Sequence, residues 1–119
     1  MTTRVLVADD ERGMRDTLVD ILQMAGYSVS AAADGAKALD MAAKQAFDVV
    51  VMDMRMPVLT GVEVLTRLGH PPPQVVLITA YALEDELSKA RESEVFAVLQ
   101  KPFAVPFLLQ VVAEAAAAA

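Results

Sequence analysis

The sequence contains no cysteine and only one histidine. Without cysteine the chain has neither a disulfide framework nor a zinc knuckle, so it suits a reducing compartment, and we expect it in the cytoplasm. His70 lies between a glycine and three prolines, where an exposed loop residue is far more common than a metal ligand or a phosphotransfer group. We therefore assign no function to His70.

Long apolar runs and basic clusters are missing as well. The runs at 49–52 and 75–78 are far shorter than the ~20 residues that span a bilayer, and the amino terminus lacks the apolar region of a signal peptide. A net charge of −6 without a cluster of lysine and arginine disfavours binding to phosphate backbones. The sequence thus predicts no membrane segment, no secretion and no direct binding of nucleic acid.

The apolar residues that are present suffice for one domain. Of the 119 residues, 55% are hydrophobic and 22% are charged, which is enough to form a core without disulfides or a structural metal. We predict a single domain over residues 1–119. The chain stops at the end of its last predicted helix, so we expect that it either acts alone or has been separated from an output domain.

Short β-branched runs alternate with longer stretches whose apolar residues recur every three or four positions. This alternation predicts an α/β fold in which helical crossovers connect parallel strands. The predicted strands span residues 4–8, 28–32, 48–52, 74–79 and 95–99. Several of them are apolar on both faces, which is typical of strands buried between two layers of helices.

Capping residues predict where the helices begin and end. The first helix should end at Gly26, where a left-handed cap is expected, and Asp34 and Thr60 should cap the second and third helices. We predict a further helix over residues 83–91 and a last one that begins near Pro106 and continues into the alanine tail.

Polar residues follow four of the five predicted strands. In open parallel sheets, ligands bind beyond the carboxyl ends of the strands, so these residues form the candidate site. They are Asp9, Asp10 and Glu11 after the first strand, Asp53 after the third, Thr79 as the last residue of the fourth, and Lys101 after the fifth; Ala80 and Pro102 directly follow Thr79 and Lys101.

Carboxylates that converge in one crevice repel one another, which is unfavourable. A divalent cation that takes oxygen ligands offsets this repulsion, and Mg²⁺ is the natural candidate. Lys101 can supply a positive charge to a phosphoryl oxygen, and the Thr79 hydroxyl and nearby backbone amides can donate hydrogen bonds to it. Asp53 directly follows the third predicted strand and is the expected nucleophile for an in-line displacement that forms an acyl phosphate. Asp9 and Asp10 would reach the metal from the side.

These motifs resemble the receiver domain of bacterial two-component response regulators over essentially the whole chain. The resemblance is carried by Asp9 and Asp10 in VLVADDE, Asp53 in VVVMDMRMP, Gly61 in TGVEVL, Thr79 and Ala80 in VLITAYA, and Lys101, Pro102 and Phe103 in LQKPF. It implies a flavodoxin-like fold, a doubly wound parallel (βα)5 sheet with strand order 2-1-3-4-5, in a single domain.

The resemblance also implies a role for each site residue. Asp53 would be phosphorylated by a sensor histidine kinase or a phosphotransfer protein, and the domain would catalyse its own phosphorylation and dephosphorylation. Mg²⁺ would be bound by Asp10, Asp53 and the backbone carbonyl of Arg55, with Asp9 acting through water. Ala80 and Arg55 would contact the phosphate, and Thr79 and Lys101 would couple it to conformation. The peptide bond between Lys101 and Pro102 is a candidate for the cis form, and Arg55 and Tyr81 would tune the access of water. A homodimer would form through the helix at 83–91, the last strand and the last helix.

Alternative interpretations exist for the same residues. Taken singly, Asp9 and Asp10 are typical helix N-caps, and Thr79 and Lys101 are ordinary strand-end or surface residues, but their coincidence at four strand ends favours a shared site. A Mg²⁺-dependent phosphohydrolase would need a second aspartate two residues after the nucleophile, where this chain has Arg55. A receiver used only for protein interaction would be indicated by loss of an acid-pocket residue, and none is lost.

One position departs from the family pattern. Receiver domains usually have an aromatic residue three positions before the lysine, where it moves with the threonine on activation, but this chain has Val98. Phe96 lies on the same strand face but ~6 to 7 Å away, too far to substitute for it. The sequence therefore predicts a muted conformational change around Val98.

Overall fold

The computed structural model describes residues 2–69, 72–80 and 95–119. Within these residues, strands and helices alternate in the order β1 (Arg4–Ala8), α1 (Arg12–Met24), β2 (Ser28–Ala32), α2 (Gly35–Lys44), β3 (Val49–Asp53), α3 (Gly61–Arg67), β4 (Gln74–Thr79), β5 (Ala97–Gln100) and α4 (Val105–Ala118). The helix predicted over 83–91, Tyr81 and His70 lie outside the described residues. None of the described helices is long and apolar enough to cross a membrane.

The five strands form one parallel sheet in the order β2-β1-β3-β4-β5, which confirms the strand order that the family resemblance implies. Two strands differ from the sequence prediction. β3 includes Asp53, which pairs with Ile78, and the Met54 amide continues the ladder by donating to the Ile78 carbonyl at 2.8 Å. β5 is shorter than predicted and begins at Ala97, so Val95 and Phe96 precede it.

Helices cover both faces of the sheet, as expected for a doubly wound fold. Alternate residues of β1 and β3 point to opposite faces, so each face has its own apolar core. One core joins the sheet to α1 and α4 through Leu18, Leu22, Leu108 and Val112. The other joins it to α2 and α3 through Ala38, Val64 and Met52. All five residues of β3 are buried between the two layers.

The predicted helix ends are confirmed. Gly26 has a φ of 97°, which a residue without a side chain adopts readily, and its N–H donates to the Gln23 carbonyl while that of Tyr27 donates to the Leu22 carbonyl. This pair of bonds is the Schellman motif that closes α1. The Asp34 carboxylate accepts from the Lys37 amide at 2.8 Å at the start of α2.

The first residues of two further helices agree with the sequence prediction. Thr60 and Glu63 form a capping box at α3, since each side chain accepts from the other residue's backbone N–H. Pro106 lies in the first turn of α4, where its missing N–H leaves no helical bond unmade. Helix α4 then continues through the alanines to Ala118.

Candidate functional site

The predicted site residues meet at the carboxyl edge of the sheet. Asp53 and Thr79 are the last residues of β3 and β4, Asp9 directly follows β1, and Lys101 directly follows β5. The Lys101 amide donates to the Thr79 carbonyl at 2.8 Å, which ties the end of β5 to the end of β4. Parallel strands with this register bring side chains from distant parts of the chain into one crevice.

Three carboxylates form the acidic part of the site. One oxygen each from Asp9, Asp10 and Asp53 lies within 4.8 Å of the others, and this is the group of acidic residues that could hold a metal ion within the described part of the chain. Asp9 is 1% exposed and Asp53 is 9% exposed, whereas Asp10 faces solvent. An all-oxygen set with one exposed member fits a hard divalent cation that keeps part of its water shell.

Lys101 supplies the positive charge in the crevice. Its Nζ donates to Asp53 Oδ2 at 3.0 Å and lies 3.5 Å from Asp9 Oδ2. Burial alone would lower the pKa of Lys101, but the hydrogen bond and charge of Asp53, reinforced by the charge of Asp9, raise that pKa above its ordinary value. The ammonium therefore stays charged at neutral pH, although its side chain is only 16% exposed.

Burial changes the pKa of the Asp9 carboxyl. Desolvation raises the pKa of Asp9, and this effect outweighs the lowering by the Glu11 amide and by Lys101, while the charge of Asp53 raises the pKa further. The Glu11 amide donates to Asp9 Oδ1 at 2.9 Å. A cation in the crevice would favour the charged form of Asp9 and so offset the cost of burying it.

Asp53 has a donor on each carboxylate oxygen. The Arg55 amide donates to Oδ1 at 2.9 Å, and Lys101 donates to Oδ2. The loop that supplies the Arg55 amide returns close to the strand, because the Gly61 amide donates to the Met54 carbonyl at 2.8 Å. A Cβ on Gly61 would lie 2.8 Å from the Asp53 carbonyl oxygen, so only glycine fits without a backbone shift.

The same loop contains a strained turn at Val58. The Leu59 amide donates to the Pro57 carbonyl at 2.9 Å, and Val58 between them has a φ of 72°. These features define a γ-turn with positive φ, which is rare and unfavourable for a residue with a branched side chain. The Val58 side chain is 77% exposed, so packing offsets little of this strain.

The remaining predicted residues lie at or near the crevice. Thr79 is buried, Ala80 and Arg55 are exposed, and the Lys101–Pro102 peptide bond is cis. Val98 is partly buried and packs on the α2 and α3 side of the sheet. The helix-cap interpretation of the aspartates is wrong, because Glu11 is the N-cap of α1 and makes no side-chain cap bond.

One residue at the site is absent from the sequence prediction. Arg15, on the first turns of α1, donates from Nη1 to the backbone carbonyl of Asp9 at 2.9 Å. A basic residue six positions after Asp9 is the only sequence signal, and it does not separate a site contact from a solvated charge. The contact depends on how α1 leaves β1, which periodicity does not predict.

A doubly wound parallel sheet with an acidic cluster and a lysine at its carboxyl edge is the arrangement expected of the receiver class of domains. A model of the response regulator receiver domain matches residues 5–113. The chain therefore belongs to the receiver domain family of two-component response regulators, and its role is that of a phosphoacceptor in signalling.

Curated relatives agree with this assignment. The chain is 40% identical over 108 residues to a response regulator receiver protein of Anaeromyxobacter, with 89% of this chain and 45% of that protein aligned. It is 39% identical to response regulator MprA of Mycobacterium bovis, over 92% of this chain and 48% of that protein. The chain thus spans about half the length of these two relatives. It is 32% identical to sporulation initiation phosphotransferase F of Bacillus subtilis, over 87% of this chain and 85% of that protein.

Solved structures show the same fold. Chemotaxis protein CheY4 of Vibrio cholerae aligns with a TM-score of 0.86 and 30% identity, over 97% of this chain and 99% of that one. A CheY-like receiver domain of Methanospirillum hungatei aligns with a TM-score of 0.94 over 98% of this chain and 95% of that one, at 24% identity, which supports the fold alone.

Proposed function

We propose that Asp53 is the residue that accepts the phosphoryl group. The observation that carries this proposal is its pair of donors: Lys101 at 3.0 Å on Oδ2 and the Arg55 amide at 2.9 Å on Oδ1. Donors in these positions hold the carboxylate in one orientation and can also stabilise charge on an incoming phosphoryl group. Asp53 ends a fully buried strand and pairs with Ile78 of β4, so its backbone is held by the sheet.

Mg²⁺ is the proposed cofactor. Asp10, Asp53 and the Arg55 backbone carbonyl would bind it directly, and Asp9 would act through water. Asp10 faces solvent, where a hydrated cation arrives. When bound, Mg²⁺ would neutralise charge on the phosphoryl oxygens.

In the proposed reaction, a carboxylate oxygen of Asp53 forms a bond to phosphorus while the bond from phosphorus to the donor breaks, and the electron pair of that bond leaves with the donor. Lys101, which donates to Asp53 in the resting protein, would then donate to a phosphoryl oxygen. The Thr79 hydroxyl and the Ala80 amide would supply further donors. Attack by water on phosphorus, with release of the Asp53 carboxylate, would reverse the modification, so the domain would catalyse both reactions itself.

Coupling to the rest of the domain would run through β4 and β5. The bond from the Lys101 amide to the Thr79 carbonyl links the two strand ends that would contact the phosphoryl group, so movement of either residue would be transmitted to both strands. We further propose that residues 1–119 form one cytoplasmic domain whose phosphoryl donor is a histidine kinase or a phosphotransfer protein. A homodimer through the helix predicted at 83–91, the last strand and the last helix is a second proposed contact.

Phosphorylation by a small donor tests the assignment. Asp53→Asn should abolish acid-labile labelling by acetyl phosphate in the presence of Mg²⁺, because the amide is not a nucleophile. Asp40→Asn is the matched control, since Asp40 forms an exposed pair with Lys44 at 3.0 Å on α2 and should label normally. Labelling of Asp53→Asn at the rate of the unmodified protein would disprove the role of Asp53.

A further inference from the structure

Every polar group of Asp9, the residue that directly follows β1, has a hydrogen-bond partner. Its N–H donates to the Ala32 carbonyl at 3.2 Å, and its two carboxylate oxygens face the Glu11 amide and Lys101. The remaining group, the Asp9 carbonyl, accepts from Arg15 Nη1 at 2.9 Å. The guanidinium is thus the side-chain donor that fixes the peptide plane between Asp9 and Asp10.

A fixed peptide plane also fixes the next residue. The peptide unit is rigid from one Cα to the next, so the orientation of the Asp9 carbonyl sets the positions of the Asp10 nitrogen and Cα. Asp10 is exposed, and burial therefore contributes little to its placement. Its carboxylate nevertheless converges with those of Asp9 and Asp53 to within 4.8 Å.

Arg15 is well placed to hold this geometry. Side chains on a helix tilt toward its N-terminus, so the partly buried Arg15 reaches back from α1 toward the end of β1. A guanidinium presents several donors in a rigid plane, and its position is better defined than that of an ammonium on a flexible chain. Arg12 lies on the same helix, but its pair with Asp16 is exposed and 3.7 Å long.

We propose that Arg15 is a positioning residue for the metal site, which acts through the Asp9 carbonyl to hold the Asp10 carboxylate toward Asp53. The proposal rests on the proposed function, because it takes the acidic cluster to be the Mg²⁺ site. It assigns no contact between Arg15 and the cation. Groups that orient a metal ligand typically contribute 10- to 100-fold to metal affinity.

The direction in which the Mg²⁺ affinity changes when Arg15 is replaced distinguishes a positioning role from a purely electrostatic one. A positive charge beside the site repels a cation, so removing the charge of Arg15 alone would make Mg²⁺ bind more tightly. If Arg15 holds Asp10 in place, removing it makes Mg²⁺ bind more weakly in spite of this gain. A measured affinity therefore distinguishes the two roles without any assay of phosphorylation.

The experiment is a Mg²⁺ titration of the unphosphorylated protein by calorimetry, with urea unfolding measured on the same samples. Arg15→Met and Arg15→Gln should weaken Mg²⁺ binding by about 10-fold. Arg15→Lys should give an intermediate affinity, because it keeps the charge but replaces the rigid guanidinium with an ammonium on a flexible chain. Arg12→Met removes the same charge from the exposed face of α1 and should leave the affinity within about twofold of the unmodified protein.

Three outcomes would overturn the inference or its basis. Unchanged or tighter binding in Arg15→Met and Arg15→Gln, with normal binding in the unmodified protein, would refute the positioning role and leave the proposed function intact. Absence of Mg²⁺ binding in the unmodified protein would refute the proposed function itself. If Arg15→Met fails to fold, the Mg²⁺ affinities of Arg15→Lys and Arg12→Lys are compared instead. Equal affinities would refute the inference, and weaker binding only in Arg15→Lys would support it.

Discussion

The strained turn at Val58 allows a quantitative prediction of how a substitution changes the free energy of unfolding. Its φ of 72° places a β-branched side chain in a region of backbone space that costs about 1 to 3 kcal/mol. Glycine removes this strain but gives the unfolded chain more freedom, which costs about 0.5 to 1 kcal/mol. Because the Val58 side chain is 77% exposed, its removal forfeits few contacts. We therefore expect Val58→Gly to raise the free energy of unfolding by about 1 kcal/mol.

Urea unfolding followed by circular dichroism measures this change. The midpoint should rise at an unchanged m-value, and the melting temperature should rise by about 4 °C for a domain of this size. Val58→Ala and Val58→Thr are the controls, because both retain a Cβ and therefore most of the strain. Val58→Thr also removes apolar surface while it preserves the shape of the side chain.

The comparison among these variants tests the strain argument directly. A gain in stability that appears in Val58→Thr as well as in Val58→Gly would mean that exposed apolar surface, rather than the backbone, is the cause. No gain in Val58→Gly over Val58→Ala would mean that the turn is not strained, and the reasoning from φ would be wrong.

Three further predictions concern the site. Gly61→Ala should cost about 2 kcal/mol of stability, because the new Cβ meets backbone, whereas Gly69→Ala, whose Cβ meets nothing within 4 Å, should not; equal losses in urea unfolding would contradict this. In metal-free protein, the pKa of Asp9 is raised in the folded state above its ordinary value of 3.8. Asp9 should therefore contribute more to the free energy of unfolding as pH falls toward 3.8, and this contribution should be lost as pH rises through the pKa of the folded state. Asp9→Asn should lack this contribution, and identical pH profiles for the two proteins would refute it. Beryllofluoride should shift the amide NMR signals of Asp53 strongly and those near Val98 modestly, with larger shifts there in Val98→Tyr; large shifts near Val98 in the unmodified protein would show that valine does not mute the change.

The sheet and most of the site could be predicted from the sequence, because both depend on patterns within short segments. A buried parallel strand appears as a continuous apolar run, and the polar residue that ends it must lie at the carboxyl edge of the sheet. The caps at Asp34 and Thr60 were predictable for the same reason, since each bonds to an amide three residues away. Strand order required the family resemblance, because adjacency of strands is a tertiary property.

Features that depend on tertiary contact were predicted wrongly or not at all. Asp53 belongs to β3 because the ladder with Ile78 extends one residue further than the apolar run does. The contact of Arg15 with Asp9 depends on the path of the chain from β1 into α1. The positive φ of Val58 runs against the preference of valine, so no local rule would have placed a tight turn there.

The end of α4 has a practical consequence for experiments on this domain. Gln74 begins β4, and its Nε2 donates to the Ala118 carbonyl at 3.4 Å, so the end of α4 lies beside the amino edge of the sheet. Thr79 ends the same six-residue strand, which at about 3.3 Å per residue puts the acidic cluster ~17 Å away. A fluorophore or purification tag attached after Ala119 would leave the crevice open to a protein phosphoryl donor. Such a probe would respond to phosphorylation only through movement of α4 or of the strands beneath it.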